Sequence, residues 1–147
     1  KYDKDGKLLM DEKFTVNERV EEDNKAIETS VSMDRFNAVV IDEDDNIVIA
    51  GQVAVKDEEE SDSQRNVFRY NGLFMKYSWD GELLEHREIG GSRDDYFTGI
   101  RLEEDHYLIT GYANSKVQDL KRTNRNGKDF KPLFLEINED GNIEKIK

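Results

Sequence analysis

At 147 residues and 17.1 kDa the chain is long enough for one domain with a real core and too short for two of ordinary size. Thirty-four acidic against 22 basic residues leave a formal net charge of -12; this argues against nucleic acid as a partner, because displacing counterions from phosphates needs clustered Lys and Arg. Without cysteine there is neither a disulfide nor a thiolate metal site, and no apolar run reaches membrane-spanning length, so no direct membrane insertion is expected.

The first predicted element is a hairpin from Lys1 to Phe14, in which KYDKDGKLL places Asp5-Gly6 between apolar runs. Asp, Asn and Gly tolerate the positive φ of tight hairpin turns, so Asp-Gly in this setting is a strong hairpin signal. Residues 15–35 follow as an insert with six acids against three bases and at most one helical turn, Val16 to Ile27. In the stretch Phe36 to Gly51, FNAVVIDEDDNIVIAG, the apolar residues Phe36, Ala38, Val40 and then Ile47, Ile49 fall two apart, the period of a strand with one face on the core. Its turn is acidic, Asp42 to Asn46. The oxygens of Asp3 to Gly6 and of Asp42 to Asn46 could attract a divalent cation weakly, but the bidentate Glu of a calcium loop is missing at the right spacing, so the primary reading is a structural turn and no cofactor.

Gln52 to Asn71 is a second insert, with the acidic run Asp57 to Glu60. Leu73 to Ile89 is the next hairpin, with KYSWDGELL echoing the opening phrase and Trp79 in its turn, where the ring either covers neighbouring structure or offers a platform to a ligand. Phe97 to Gly111, FTGIRLEEDHYLITG, answers Phe36 to Gly51 with the final glycines 60 apart (111 minus 51). Tyr112 to Lys131 is a third insert, basic this time, with six Lys and Arg against Asp119 and Asp129. Leu133 to Ile146 closes the chain with Asp140-Gly141 at its turn, and the sole proline, Pro132, stands just before the apolar run, where a strand starts without needing that N–H.

Two hairpin phrases that alternate along the chain predict an all-β fold of four-stranded antiparallel β-propeller-type blades, two full blades and a leading hairpin; the alternative is a β-sandwich. The domain reading is a single repeat domain over 1–147: 1–14 the second hairpin of a preceding blade, 15–35 an insert, 36–90 blade 1 and 91–147 blade 2. Because Lys1 falls inside a repeat, the chain is expected to begin downstream of its native start. Two and a half blades do not close a ring, so a homo-oligomer, a longer chain, or inserts folded back over the exposed flanks would have to complete it.

The run Ile89 to Ser115, IGGSRDDYFTGIRLEEDHYLITGYANS, resembles the bacterial β-propeller repeat abbreviated SBBP through Gly90-Gly91-Ser92, Asp94-Asp95, Ile100, Thr110-Gly111 and Ser115. The earlier unit keeps Asp34, Phe36, Ile49 and Gly51 of that pattern but has Ser30-Val31-Ser32 for Gly-Gly-Ser. The resemblance implies a propeller and an extracellular or bacterial cell-surface setting, and it carries no catalytic residue.

In a propeller the three inserts would emerge on one face, where long connections concentrate binding residues. The functional reading is a non-catalytic binding or scaffold module that recognises a protein or glycan there, with Tyr112, Lys121, Arg122, Arg125 and Trp79 as binding residues. The alternative is a carbohydrate-active enzyme, a glycan hydrolase or lyase using insert-face carboxylates. His86 and His106 have no companion at ligand spacing, so no zinc site is expected.

Overall fold

A computed structural model of the chain describes Tyr2 and residues 4–8, 34–57, 61, 67–115 and 130–146. Eight strands account for nearly all of them: β1 (Arg35–Ile41), β2 (Ile47–Lys56), β3 (Phe68–Tyr77), β4 (Leu83–Ile89), β5 (Asp95–Glu103), β6 (His106–Ala113), β7 (Lys131–Asn138) and β8 (Ile143–Ile146). They form two four-stranded antiparallel sheets, each a simple meander: β1-β2-β3-β4 and β5-β6-β7-β8. No helix among the described residues is long and apolar enough to cross a membrane.

The hairpin pairs β1–β2, β3–β4, β5–β6 and β7–β8 coincide with the phrases that the sequence marks. Their turns explain why. Gly81 and Gly141 adopt φ of 93° and 76°, the left-handed region where a Cβ is strained, and in each turn the glycine N–H donates to the carbonyl three residues back, on Ser78 and Asn138. Asp45 takes the corresponding role in the β1–β2 turn at φ 63°, a conformation that Asp tolerates better than most side chains. Pro132 lies inside β7, across from Tyr112 of β6. On its other side β8 reaches only as far as Leu135, so no ladder bond is lost there.

The assembly of these hairpins differs from the propeller expectation. The two sheets are discrete and pack face to face in a sandwich-like arrangement, with no curled or closed set of blades. The β-propeller and blade-repeat reading is therefore corrected in favour of the alternative, an all-β sandwich-like pair of sheets. Turn chemistry dictates which strands are neighbours within a sheet; it says nothing about how one sheet sits on the next, which is decided by the apolar faces. Val48, Ala50, Phe74 and Ile89 of the first sheet and Phe97, Tyr107, Ile109, Leu133, Leu135 and Ile137 of the second form one buried cluster, with the Phe74 and Tyr107 rings tilted together at 5.5 Å. A second cluster, Val53, Leu73 and Met75, is buried on the opposite face of the first sheet. Of the leading hairpin, Lys1 to Phe14, the described part is an isolated bridge between Tyr2 and Leu8. The helical turn at Val16 to Ile27 lies outside the described residues.

Edge strand β5 seals one side of the interface. The Phe97 ring lies directly on Gly72 of β3, so closely that a methyl on Gly72 would overlap it. The Asn37 side-chain amide donates to the Phe97 carbonyl at 2.7 Å and ties β1 to the same strand.

Candidate functional site

Three groups of polar and aromatic side chains stand out, two buried and one on the surface. The first lies at the turn end of the sheet interface. Asp42, the first residue of the β1–β2 turn, accepts from the Asp44 and Asn46 N–H groups through Oδ1, and from Asn46 Nδ2 through Oδ2. The same Oδ2 takes Lys76 Nζ of β3 at 2.9 Å and the Tyr107 hydroxyl of β6 at 2.9 Å, and the Lys76 ammonium sits 5.7 Å from the centre of the Tyr107 ring. Burial pushes the Asp42 carboxyl up, but the hydrogen bonds from Asn46, Lys76 and Tyr107 overcome it and hold the group at about 2. The Lys76 ammonium and Tyr107 hydroxyl are both shifted up: for Tyr107 burial is the first cause, and for Lys76 burial acts downward but is overcome by Asp42 and Tyr107 together. All three therefore keep fixed protonation states at neutral pH. Such a cluster joins two sheets; it has no proton to exchange with a substrate.

The second group is at the opposite end. Asp95, fully buried at the start of β5, accepts from the backbone N–H groups of Gly91, Asn114 and Ser115 and from the Ser115 hydroxyl. Burial is the leading influence and raises its pKa above the ordinary carboxylate value, against the lowering effect of these donors. Asp34 does similar work one sheet earlier, accepting from the Ala54 N–H at 2.8 Å. These aspartates belong to the residues that suggested a repeat, and their role here is to close strand ends. Asp95→Ala leaves four donors without their acceptor, and we expect it to cost about 3 kcal/mol in urea unfolding. A loss below about 1 kcal/mol would mean that water replaces the carboxylate.

The third group is partly exposed: Tyr112 and Phe130 reach the surface, and Tyr70 and Tyr96 are half-buried. The rings of Tyr70 of β3 and Tyr96 of β5 meet at a tilt with centroids 5.4 Å apart, and Tyr96 meets Phe130, just before β7, at 5.6 Å. Tyr112 stands across the β5–β6 ladder from Tyr96, hence on the same face of the sheet, with its ring half exposed. The strip spans both sheets at the end away from the tight β3–β4 and β7–β8 turns. Two carboxylates flank it: Asp94 receives the Tyr70 N–H at 3.0 Å, and both Asp94 and Asp34 raise the Tyr70 hydroxyl further after burial has done so, with Arg35 opposing them. The Tyr96 hydroxyl is raised by burial first and then by Asp94.

Of the two described residues expected to bind a ligand, Tyr112 belongs to this strip and Trp79 does not. Trp79 is about half exposed in the β3–β4 turn, at the far end of β3 from Tyr70, so the two do not share a surface. Lys121, Arg122 and Arg125 lie outside the described residues. Tyr70 and Phe130 were missed because each falls at the margin of an insert, and Tyr96 because it stands just before the Phe97 phrase; nothing in their spacing along the chain says that two sheets bring them together. The described residues hold no group of three or more His, Cys, Asp or Glu that could ligate a metal ion.

No family model matches this chain, and no curated protein matches it either. The resemblance to the SBBP repeat is accordingly corrected: its glycines and aspartates are accounted for by strand-end hydrogen bonds and close packing within two stacked sheets. With the propeller goes the face on which three inserts were to converge. The propeller-based surface module recognising ligands through those inserts, and the glycan hydrolase or lyase offered as its alternative, both lose their structural basis.

Proposed function

We propose that the protein binds an extended, proline-containing basic peptide segment along the strip Tyr70–Tyr96–Phe130, with Tyr112 at its side. The observation that carries this reading is the run of successive ring contacts at 5.4 and 5.6 Å. A polyproline helix advances about 3 Å per residue, so each step between rings corresponds to roughly two residues of such a segment. Aromatic rows are the usual receptors for this conformation because the ligand is already ordered and loses little entropy on docking. Its backbone carbonyls are free to accept from tyrosine hydroxyls, which stay protonated here. Asp34 and Asp94 supply negative charge beside the rings, and a chain of net charge -12 attracts a cationic partner at long range. An extracellular or bacterial cell-surface setting is part of the proposal; a chain without thiols suits an oxidising environment.

Titration with a synthetic polyproline peptide carrying two arginines, followed by calorimetry, tests it. Saturable binding that weakens roughly tenfold or more in Tyr96→Ala and in the exposed variant Phe130→Ala, and that falls with salt, is the expected result. No saturation, equal affinity in both variants, or binding of a linear oligosaccharide in place of the peptide would each overturn it.

A further inference from the structure

The outer face of the second sheet has the same layout as a face that the first sheet buries. In the first sheet Val48, Ala50, Phe74 and Lys76 all lie on the side covered by the second sheet, and all four are buried. Positions 60 further on, at the matching places in the β6–β7 ladder, stand Leu108, Thr110, Phe134 and Glu136. Among the described residues no second sheet lies over these. Phe134 is 44% exposed, and Leu108, Phe134, Glu136 and Lys145 line a shallow depression between β6, β7 and β8. An aromatic ring with this much free surface, set at the centre of a regular sheet, is the arrangement that sheet-on-sheet packing uses.

We infer that this face docks a second copy of the chain, face to face about a two-fold axis, so that Phe134 and Leu108 of one copy pack on those of the other. The charge pattern selects this occupant. Arg101 beside Glu103 on β5, and Lys145 opposite Glu136 in the β7–β8 ladder, balance cations against anions on one surface of a molecule whose net charge is -12. Elsewhere two copies repel each other; here they meet a neutral surface whose rows of opposite sign can pair across an isologous contact. Four strands about 4.8 Å apart and some eight residues long present roughly 500 Å² per copy, or about 1,000 Å² in the pair. That area is at the lower end for a specific interface, so the dimer dissociates on dilution.

Sedimentation velocity of the whole chain across a wide concentration range provides the test. The expected result is a reversible monomer–dimer equilibrium that Phe134→Glu shifts by roughly tenfold or more toward monomer, with an unchanged far-ultraviolet spectrum. Lys145→Glu should weaken the dimer, and adding Glu136→Lys should restore it. A wild-type chain that stays monomeric at every concentration, a dimer that survives Phe134→Glu, or a failure of the charge exchange to restore association would overturn the inference. Tyr96 and Tyr112 share this face with Thr110 and Phe134 by strand register, so peptide binding is titrated at concentrations where the chain is monomeric.

Discussion

Asp42→Ala is expected to lower the unfolding free energy by about 3–5 kcal/mol, a large part of what a domain of this size has to lose. The reason is what it leaves behind. Lys76 is 8% exposed and Tyr107 is fully buried, and both direct their polar ends at Asp42 Oδ2. Removing the carboxylate strands an ammonium in the sheet interface and uncaps the β1–β2 turn at the same time, because Oδ1 holds the Asp44 and Asn46 N–H groups. The double variant Asp42→Ala with Lys76→Met should recover part of the loss, since a buried charge without a partner costs more than an apolar side chain in its place. Urea unfolding of the two variants decides it: a double variant no more stable than Asp42→Ala would show that the turn cap, and not the ion pair, carries the effect.

The same carboxylate sets an acid limit. Its folded pKa of about 2 lies below the 3.8 of the unfolded chain, so the stabilisation is fully present above pH about 4 and is lost as pH falls toward 2. The difference is worth about 2 kcal/mol. Asp95 has the opposite sign. Its raised pKa means that its favourable contribution is present at low pH and lost as pH rises through the folded value. In Asp42→Asn the acid-dependent loss between pH about 4 and 2 should shrink by about 2 kcal/mol relative to the parent chain. An unchanged slope would place the acid limit on other carboxylates.

Phe97→Ala is expected to cost about 3–5 kcal/mol, the range for a fully buried aromatic whose site cannot collapse. The ring occupies the space that Gly72 leaves by having no side chain, in a contact between β3 of one sheet and β5 of the other. Gly72→Ala alone should therefore cost about 1–3 kcal/mol through overlap with the ring. Placed in the Phe97→Ala background, the same methyl enters an empty space and should cost less than about 1 kcal/mol. Equal penalties in both backgrounds would mean that the ring does not rest on Gly72 and that the stacking of the two sheets is different.

Much of the local structure could be read from the residues. Asp80-Gly81 and Asp140-Gly141 place two turns because only a residue that accepts positive φ can close them, and the β-branched and aromatic runs in Phe36 to Gly51 and Phe97 to Gly111 mark strands. The core face read for the first stretch is corrected: a bulge after Phe36 leaves that ring half exposed, and Val48 and Ala50, not Ile47 and Ile49, meet the second sheet. Asp42 was legible as a turn residue and not as the partner of Lys76 and Tyr107, which are 34 (76 minus 42) and 65 positions away. No spacing rule reaches across two sheets. The aromatic strip was hidden for the same reason: Tyr112 was singled out, yet the rings that touch, Tyr70, Tyr96 and Phe130, come from three separate stretches.

Strand order and turn positions follow from the sequence alone, because they depend on backbone preferences over a few neighbouring positions. The face of β2 that meets the second sheet did not: Ile47-Val48-Ile49-Ala50 is apolar on both sides, and Val48 and Ala50 enter the shared core while Ile49 packs on the other face. How the meanders stack did not follow. An apolar face specifies that it must be covered, and leaves open by what and at what angle. Only the tertiary contacts, Phe97 on Gly72 and Phe74 on Tyr107 with Asp42 between Lys76 and Tyr107, decided that the two sheets lie face to face.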